Sequence, residues 1–198
     1  MATTEQHVEE HHHTSTGLDN KKMAMWAFLG SECLLFGALI SAYLLYRKRG
    51  PGKHPADLYD IPFTSVSSFV LLMSSLTMVL ALSGIQRGDG RRLRVWLVAT
   101  AVLGMTFIAG QVYEFTTFVK EGMSLTSNAG ASAFFVLTGF HGTHVSIGII
   151  MLLSLVGLSL AGKLPAERSL AVELAGLYWH FVDIVWIVIF TVVYLVPS

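Results

Sequence analysis

Five long runs of apolar residues, almost free of charge, divide this chain: Met23–Tyr46, Phe63–Gln86, Arg94–Phe118, Ala131–Leu160 and Glu173–Val196. A membrane helix needs about 20 largely apolar residues, and each run meets that length. Lipid offers the backbone no hydrogen bonds, so open strands are excluded and each run must close its own bonds as a helix. The runs are apolar all round, not striped, as expected of helices with lipid or protein on every side. The expectation is an all-α polytopic membrane protein with five transmembrane helices. Composition agrees, since apolar residues make up 53% of the chain and charged ones only 13%, against about 25% in soluble domains.

Residues 1–22 read as a polar cytoplasmic tail and residues 23–198 as the transmembrane domain. The tail contains "HVEEHHHTSTG", which could scavenge metal but is read as a solvated end, because nothing in it can pack a core. The first run is too long for the apolar part of a signal peptide and lacks a small-residue cleavage site, so it is read as a retained helix. Pro62 opens the second run and Pro197 closes the fifth, positions where a missing N–H does no harm.

Basic residues set the orientation. The N-terminal side collects Lys21, Lys22, Arg87, Arg91, Arg92, Arg94, Lys163 and Arg168. The other side has Arg47, Lys48, Arg49, Lys53 and Lys120. The imbalance places the N-terminus in the cytoplasm and the C-terminus outside, although the Arg47–Arg49 cluster opposes it.

Charge also narrows function. Thirteen basic and thirteen acidic side chains cancel, which leaves no basic surface for nucleic acid. The single cysteine, Cys33, rules out an internal disulfide and any site needing several thiolates. Its place inside an apolar run suggests an ordinary buried thiol.

The interiors of the runs carry no Lys or Arg, but they hold Glu32, Glu114, His141, His144, His180 and Asp183. Each is expensive in lipid and should face protein or water. Depth sorts them into an expected inner tier of Glu32, His180 and Asp183 and an outer tier of Glu114 and His141, with His144 near the middle. The spacings "HGTH" and "HFVD" are those of ligand pairs on one helix face. Carboxylate-bridged iron sites in helix bundles instead use two Glu-x-x-His motifs and two further Glu. Helix-to-helix hydrogen bonding is therefore the favoured reading. Thr138, Gly142 and Ser146 form a small-residue strip suited to close helix packing. Tyr178 and Trp179 sit where interfacial anchors are found, and Trp186 lies deeper, where it would pack on a neighbour.

Several blocks together carry a family resemblance. "FFVLTGFHGTHVSIG" (134–148) and "LYWHFVDIVWIVIFTVVYL" (177–195) closely resemble the last two helices of subunit III of haem–copper terminal oxidases. "WAFLGSECLLFGALISAYL" (26–44) resembles that subunit's helix with a buried glutamate, here Glu32 beside Ser31. "PFTSVSSFVLLMSSLTM" (62–78) and "QVYEF" (111–115) match the two helices that follow. The order is conserved with the family's five-helix form, over roughly residues 22–197.

The resemblance implies an accessory core subunit of a respiratory proton pump that reduces oxygen to water in the bacterial plasma membrane. Haem and copper would belong to subunits I and II, with no redox centre or metal in this chain. The chain would pack directly on subunit I, sit with subunit II and a small subunit IV, bind phospholipid, and support proton uptake and sustained turnover. Glu32 would face subunit I, while Glu114, His141, His144, Trp179, His180 and Asp183 would be structural or lipid-associated. Cytochrome c oxidase is the reading taken, with quinol oxidase as its alternative. A proton-relay transporter and a membrane metalloprotein are the rivals from other classes, and the five runs show no matching halves of the kind inverted repeats produce.

Overall fold

A computed structural model describes residues 19–49, 60–165 and 169–196. The sequence readings on "HVEEHHHTSTG", Lys53, Arg168 and Pro197 lie outside the described residues. Among those described, five helices run α1 (Asn20–Tyr46), α2 (Ile61–Gln86), α3 (Gly90–Lys120), α4 (Ala129–Leu160) and α5 (Ser169–Phe190). A π-helical turn, Thr191–Leu195, continues α5. All five are long and apolar enough to cross a membrane.

Four of them start on a polar cap just outside the apolar run. Asp19 accepts from the Lys21 N–H, Asp60 from Phe63, Asp89 from Arg92 and Asn128 from Ala131. Such caps satisfy N–H groups that the helix itself leaves open. They explain why α1 and α3 begin at Asn20 and Gly90, earlier than the apolar runs suggest. Pro62 falls in the first turn of α2. The α2–α3 connection is one tight turn, in which Gly88 takes a φ of +72° that only glycine adopts without strain.

Helices α2, α3, α4 and α5 form a ring in which each touches the next, and α2 closes back on α5. Helix α1 lies outside that ring, against α4 and α5. Its contact is a narrow seam of Leu29, Phe36 and Tyr43, one residue every two turns. Only 17% of its apolar window is buried, against 50% for α5. Much of the rest of α1, including Cys33, is exposed. Cys33 is thus an exposed thiol, not the buried one expected from its apolar neighbours.

The largest core side chains belong to α5. Trp179 and Trp186, 2% and 1% exposed, point into the ring. Trp179 is therefore not an interfacial anchor, as its position near the helix start suggested. The ring needs a large side chain where α3 and α4 carry glycines, and Trp179 fills that space beside Gly104 and Gly148. Tyr178 is also buried, with its hydroxyl donating to the His144 carbonyl at 3.0 Å.

Candidate functional site

Polar groups inside the bundle gather in four places, each joining different helices. The first joins α1 to α4. Glu32 Oε2 lies 3.1 Å from His144 Nε2, and both side chains are about seven-eighths buried, at 14% and 13% exposure. His144 Nδ1 donates to the Phe140 carbonyl one turn back, at 2.8 Å. That bond fixes a ring proton on Nδ1 and turns Nε2 toward the Glu32 carboxyl. Phe36 stands edge-on to the His144 ring at 5.1 Å and covers the pair.

The second place joins α4 to α5. His141, fully buried, donates from Nε2 to the Val182 carbonyl at 3.1 Å. Its ring lies 4.8 Å from Trp186 and 5.9 Å from Phe107. Nδ1 has no hydrogen-bond partner among the described residues. A backbone carbonyl inside a helix is already taken, so this extra bond pins the two helices by its second lone pair.

The third joins α2, α3 and the π-helical turn. Glu114 Oε1 accepts from the Tyr194 hydroxyl at 3.0 Å and from Thr64 Oγ1 at 3.2 Å. The wider π turn sets Tyr194 back into the bundle at the end of α5, where it is 5% exposed. Gln111, one turn before Glu114, donates from Nε2 to the Thr138 carbonyl of α4.

The fourth joins α2 to α5. Ser75 Oγ lies 2.5 Å from Asp183 Oδ2 and 3.1 Å from His180 Nδ1. On the same seam the indole N–H of Trp179 donates to Ser74 Oγ at 2.9 Å, and that of Trp186 to Ser68 Oγ at 2.8 Å. Each serine passes its own proton to a backbone carbonyl of α2, so both tryptophan donors are satisfied in the core.

The two-tier arrangement expected from depth is corrected by these pairs. His180 and Asp183 do meet, through Ser75, but Glu32 is not with them. It pairs with His144, because α1 lies against α4 and α5 and away from the α2–α5 seam. Glu114 and His141 are both buried, but they are not joined to each other. The hydroxyls of α2 and Tyr194 take Glu114, and the α5 backbone takes His141. Sequence reasoning missed Thr64, Ser68, Ser74, Ser75, Gln111 and Tyr194. Nothing in the sequence separates the hydroxyls of α2 that reach across to α5 from those that bond only to their own helix, such as Ser65. Near the first turns of both helices, Lys22 and Glu173 form a further ion pair between α1 and α5 at 2.6 Å.

In the predicted small-residue strip of α4, Gly142 faces the Gln111 amide, whose Oε1 lies 2.8 Å from where a Cβ would be. The strip thus admits a side chain of α3. Among the described residues no three His, Cys, Asp or Glu side chains group so as to hold a metal ion. What this constellation does is hold the helices in register, each cluster tying a different set of them together.

The sequence model of a family described as "Cytochrome c oxidase subunit III" matches residues 3–198. The chain belongs to that family. It is a subunit III of a haem–copper oxidase. "Cytochrome c oxidase subunit 3" of Bacillus sp. (strain PS3) is 38% identical over 177 residues, 89% of this chain and 86% of the relative. "Quinol oxidase subunit 3" of Bacillus subtilis (strain 168) is also 38% identical, over 87% of this chain and 85% of the relative. "Cytochrome bo(3) ubiquinol oxidase subunit 3" of Pseudomonas aeruginosa is 35% identical, over 97% and 91%. Relatives named for either electron donor are thus equally similar to this subunit III. Membership makes it one part of a multi-subunit membrane oxidase.

Proposed function

We propose that this chain is the accessory subunit III of a cytochrome c oxidase. In this reading it binds no redox cofactor and serves the haem and copper centres of subunits I and II. The observation that carries the reading is the Glu32–His144 pair between α1 and α4. Its carboxyl belongs to α1, the helix that this chain covers least. The pair keeps about one-eighth of its side-chain surface open, and a partner against α1 would complete its cover, as ionisable groups in lipid need protein or water beside them. Subunit I is the proposed partner against α1, with subunit II and a small subunit IV in the same assembly. Glu32 would then lie at the contact, near enough to support proton uptake.

Phospholipid is the proposed ligand. Two apolar grooves of about 390 Å³ flank α1. One is lined by Leu39, Ala42, Ala133 and Val136, and the other by Met25, Met151, Leu155 and Leu174. Acyl chains of the two leaflets fit their composition. The surplus of basic residues on the N-terminal side supports a plasma-membrane topology with the N-terminus in the cytoplasm.

Quinol oxidase is the second reading, favoured by relatives of that name at the same identity. Purification from the native membrane in mild detergent tests both. Larger haem-bearing subunits should travel with this chain, and the isolated chain should lose the haem spectrum. Oxidation of reduced cytochrome c by the complex supports the first reading, whereas oxidation of quinol alone replaces it with the second. Stoichiometric iron, copper or zinc on the isolated chain would defeat both.

A further inference from the structure

The centre of the α2–α5 seam contains a group whose bonding is incomplete. Asp183 is 4% exposed, and its Oδ1 has no hydrogen-bond partner among the described residues. Its Oδ2 meets Ser75 Oγ, which also meets His180 Nδ1. No Lys or Arg forms an ion pair with Asp183 among the described residues. A buried carboxylate with one bare oxygen and no paired cation is a costly arrangement. The same carboxyl carrying a proton on Oδ2 leaves only a neutral carbonyl oxygen unpaired, which costs far less.

The protonated form also completes the chain of bonds. Asp183 Oδ2–H donates to Ser75 Oγ, the Ser75 hydroxyl donates to His180 Nδ1, and the ring proton of His180 sits on Nε2. The reverse chain is complete as well. His180 Nδ1–H then donates to Ser75 Oγ, and the Ser75 hydroxyl donates to the Asp183 carboxylate. A serine hydroxyl has one proton and two lone pairs, so it can serve both directions.

We propose that Asp183, Ser75 and His180 form an intramembrane relay that stores one exchangeable proton. In the transfer the Asp183 O–H bond breaks and a new O–H bond forms on Ser75. The original Ser75 proton passes to His180 Nδ1. The pair moves from neutral acid and neutral imidazole to carboxylate and imidazolium, with no atom or charge gained. His180 is the entrance. It is half-buried, on the edge of α5 that faces outward, and its Nε2 has no hydrogen-bond partner among the described residues.

The surrounding titratable groups are otherwise engaged. Helix α2 carries no acidic, basic or histidine side chain between Ile61 and Gln86. On α5, Glu173 pairs with Lys22 and the Tyr178 hydroxyl donates to the His144 carbonyl. On α3, Glu114 is held by Tyr194 and Thr64. On α4, His141 donates to the α5 backbone, and His144 pairs with Glu32 of α1. The relay does not depend on which electron donor the oxidase uses.

Infrared spectroscopy of the purified oxidase, with its haem spectrum checked to be intact, tests the relay. The parent complex should show a carboxylic-acid C=O band that disappears in Asp183→Asn. On transfer to heavy water that band should shift promptly. In Ser75→Ala the exchange should slow by about tenfold, the factor given by a barrier rise of about 1.4 kcal/mol. Ser75→Thr should restore it. If Asp183→Asn does not assemble, the contrast between Ser75→Ala and Ser75→Thr decides alone. Equal exchange in parent and Ser75→Ala overturns the proposal. So does the absence of any carboxylic-acid band that differs between the parent and the Asp183 variant.

Discussion

The indole ring of Trp179 lies 2.6 Å from where a Cβ of Gly104 would stand. It comes nearly as close, at 2.8 Å, to that position on Gly148. Helices α3 and α4 are thus bare of side chain where α5 inserts its largest. In lipid there is no hydrophobic force to press helices together, so close packing and internal hydrogen bonds must do it. Trp179 supplies both, filling the two glycine gaps while donating to Ser74.

Gly104→Ala should therefore destabilise the subunit by about 1–3 kcal/mol, the usual cost of overpacking a filled core. Thermal dissociation of the subunit from the detergent-solubilised oxidase would measure it. Gly157→Ala is the control, because nothing lies within 4 Å of its Cβ position. There the better helix propensity of alanine should leave stability unchanged or raise it by up to about 1 kcal/mol.

Tyr194→Phe removes one donor from Glu114 and should cost about 1–3 kcal/mol, the penalty for a buried acceptor that loses its partner. Glu114→Gln keeps an oxygen for Tyr194 and should cost less. In a double-mutant cycle Tyr194→Phe and Glu114→Leu should be less than additive, since they break the same bond. Additive losses would mean that the hydroxyl acts elsewhere.

The spans were legible because lipid imposes one rule along the whole chain, about 20 apolar residues per crossing. Pairings were not, because they depend on how each helix is rotated and which neighbour it meets. Glu32 illustrates this. Its depth suggested Asp183, but α1 lies beyond α4 and α5, so the nearer partner was His144. Ser68, Ser74 and Ser75 were invisible for another reason: a hydroxyl in a membrane helix usually bonds back to its own backbone, as Ser65 does to Ile61. Only the indoles and the carboxyl across the seam give three of them a second task. The buried acids and histidines themselves could be picked out, since their cost in lipid marks them wherever they fall.

His141→Leu tests the α4–α5 pin. The substitution removes the Nε2–H bond to Val182 but keeps an apolar side chain among Phe107, Trp186 and Phe36. Loss of the bond should cost about 0.5–1.5 kcal/mol, partly offset because the unpartnered Nδ1 is no longer buried. Reduced retention of the subunit, or of lipid purified with it, is the expected result. Retention equal to the parent's would show that the ring acts only as a filler among three aromatic side chains.

Glu32→Ala addresses the pair at the edge of the bundle. It leaves the Leu29, Phe36 and Tyr43 seam intact, so α1 should stay docked and the oxidase should assemble. His144 keeps its bond to Phe140 but loses its carboxyl partner, a loss of about 0.5–1.5 kcal/mol for one hydrogen bond. If Glu32 supports proton uptake, the variant should show a lower rate or a faster decline during sustained turnover in a stopped oxygen-consumption assay. His144→Leu should reproduce that decline, because the Glu32 carboxyl then loses the imidazole that holds it. A Glu32→Ala enzyme whose rate and durability match the parent would reduce the pair to a packing contact between α1 and α4.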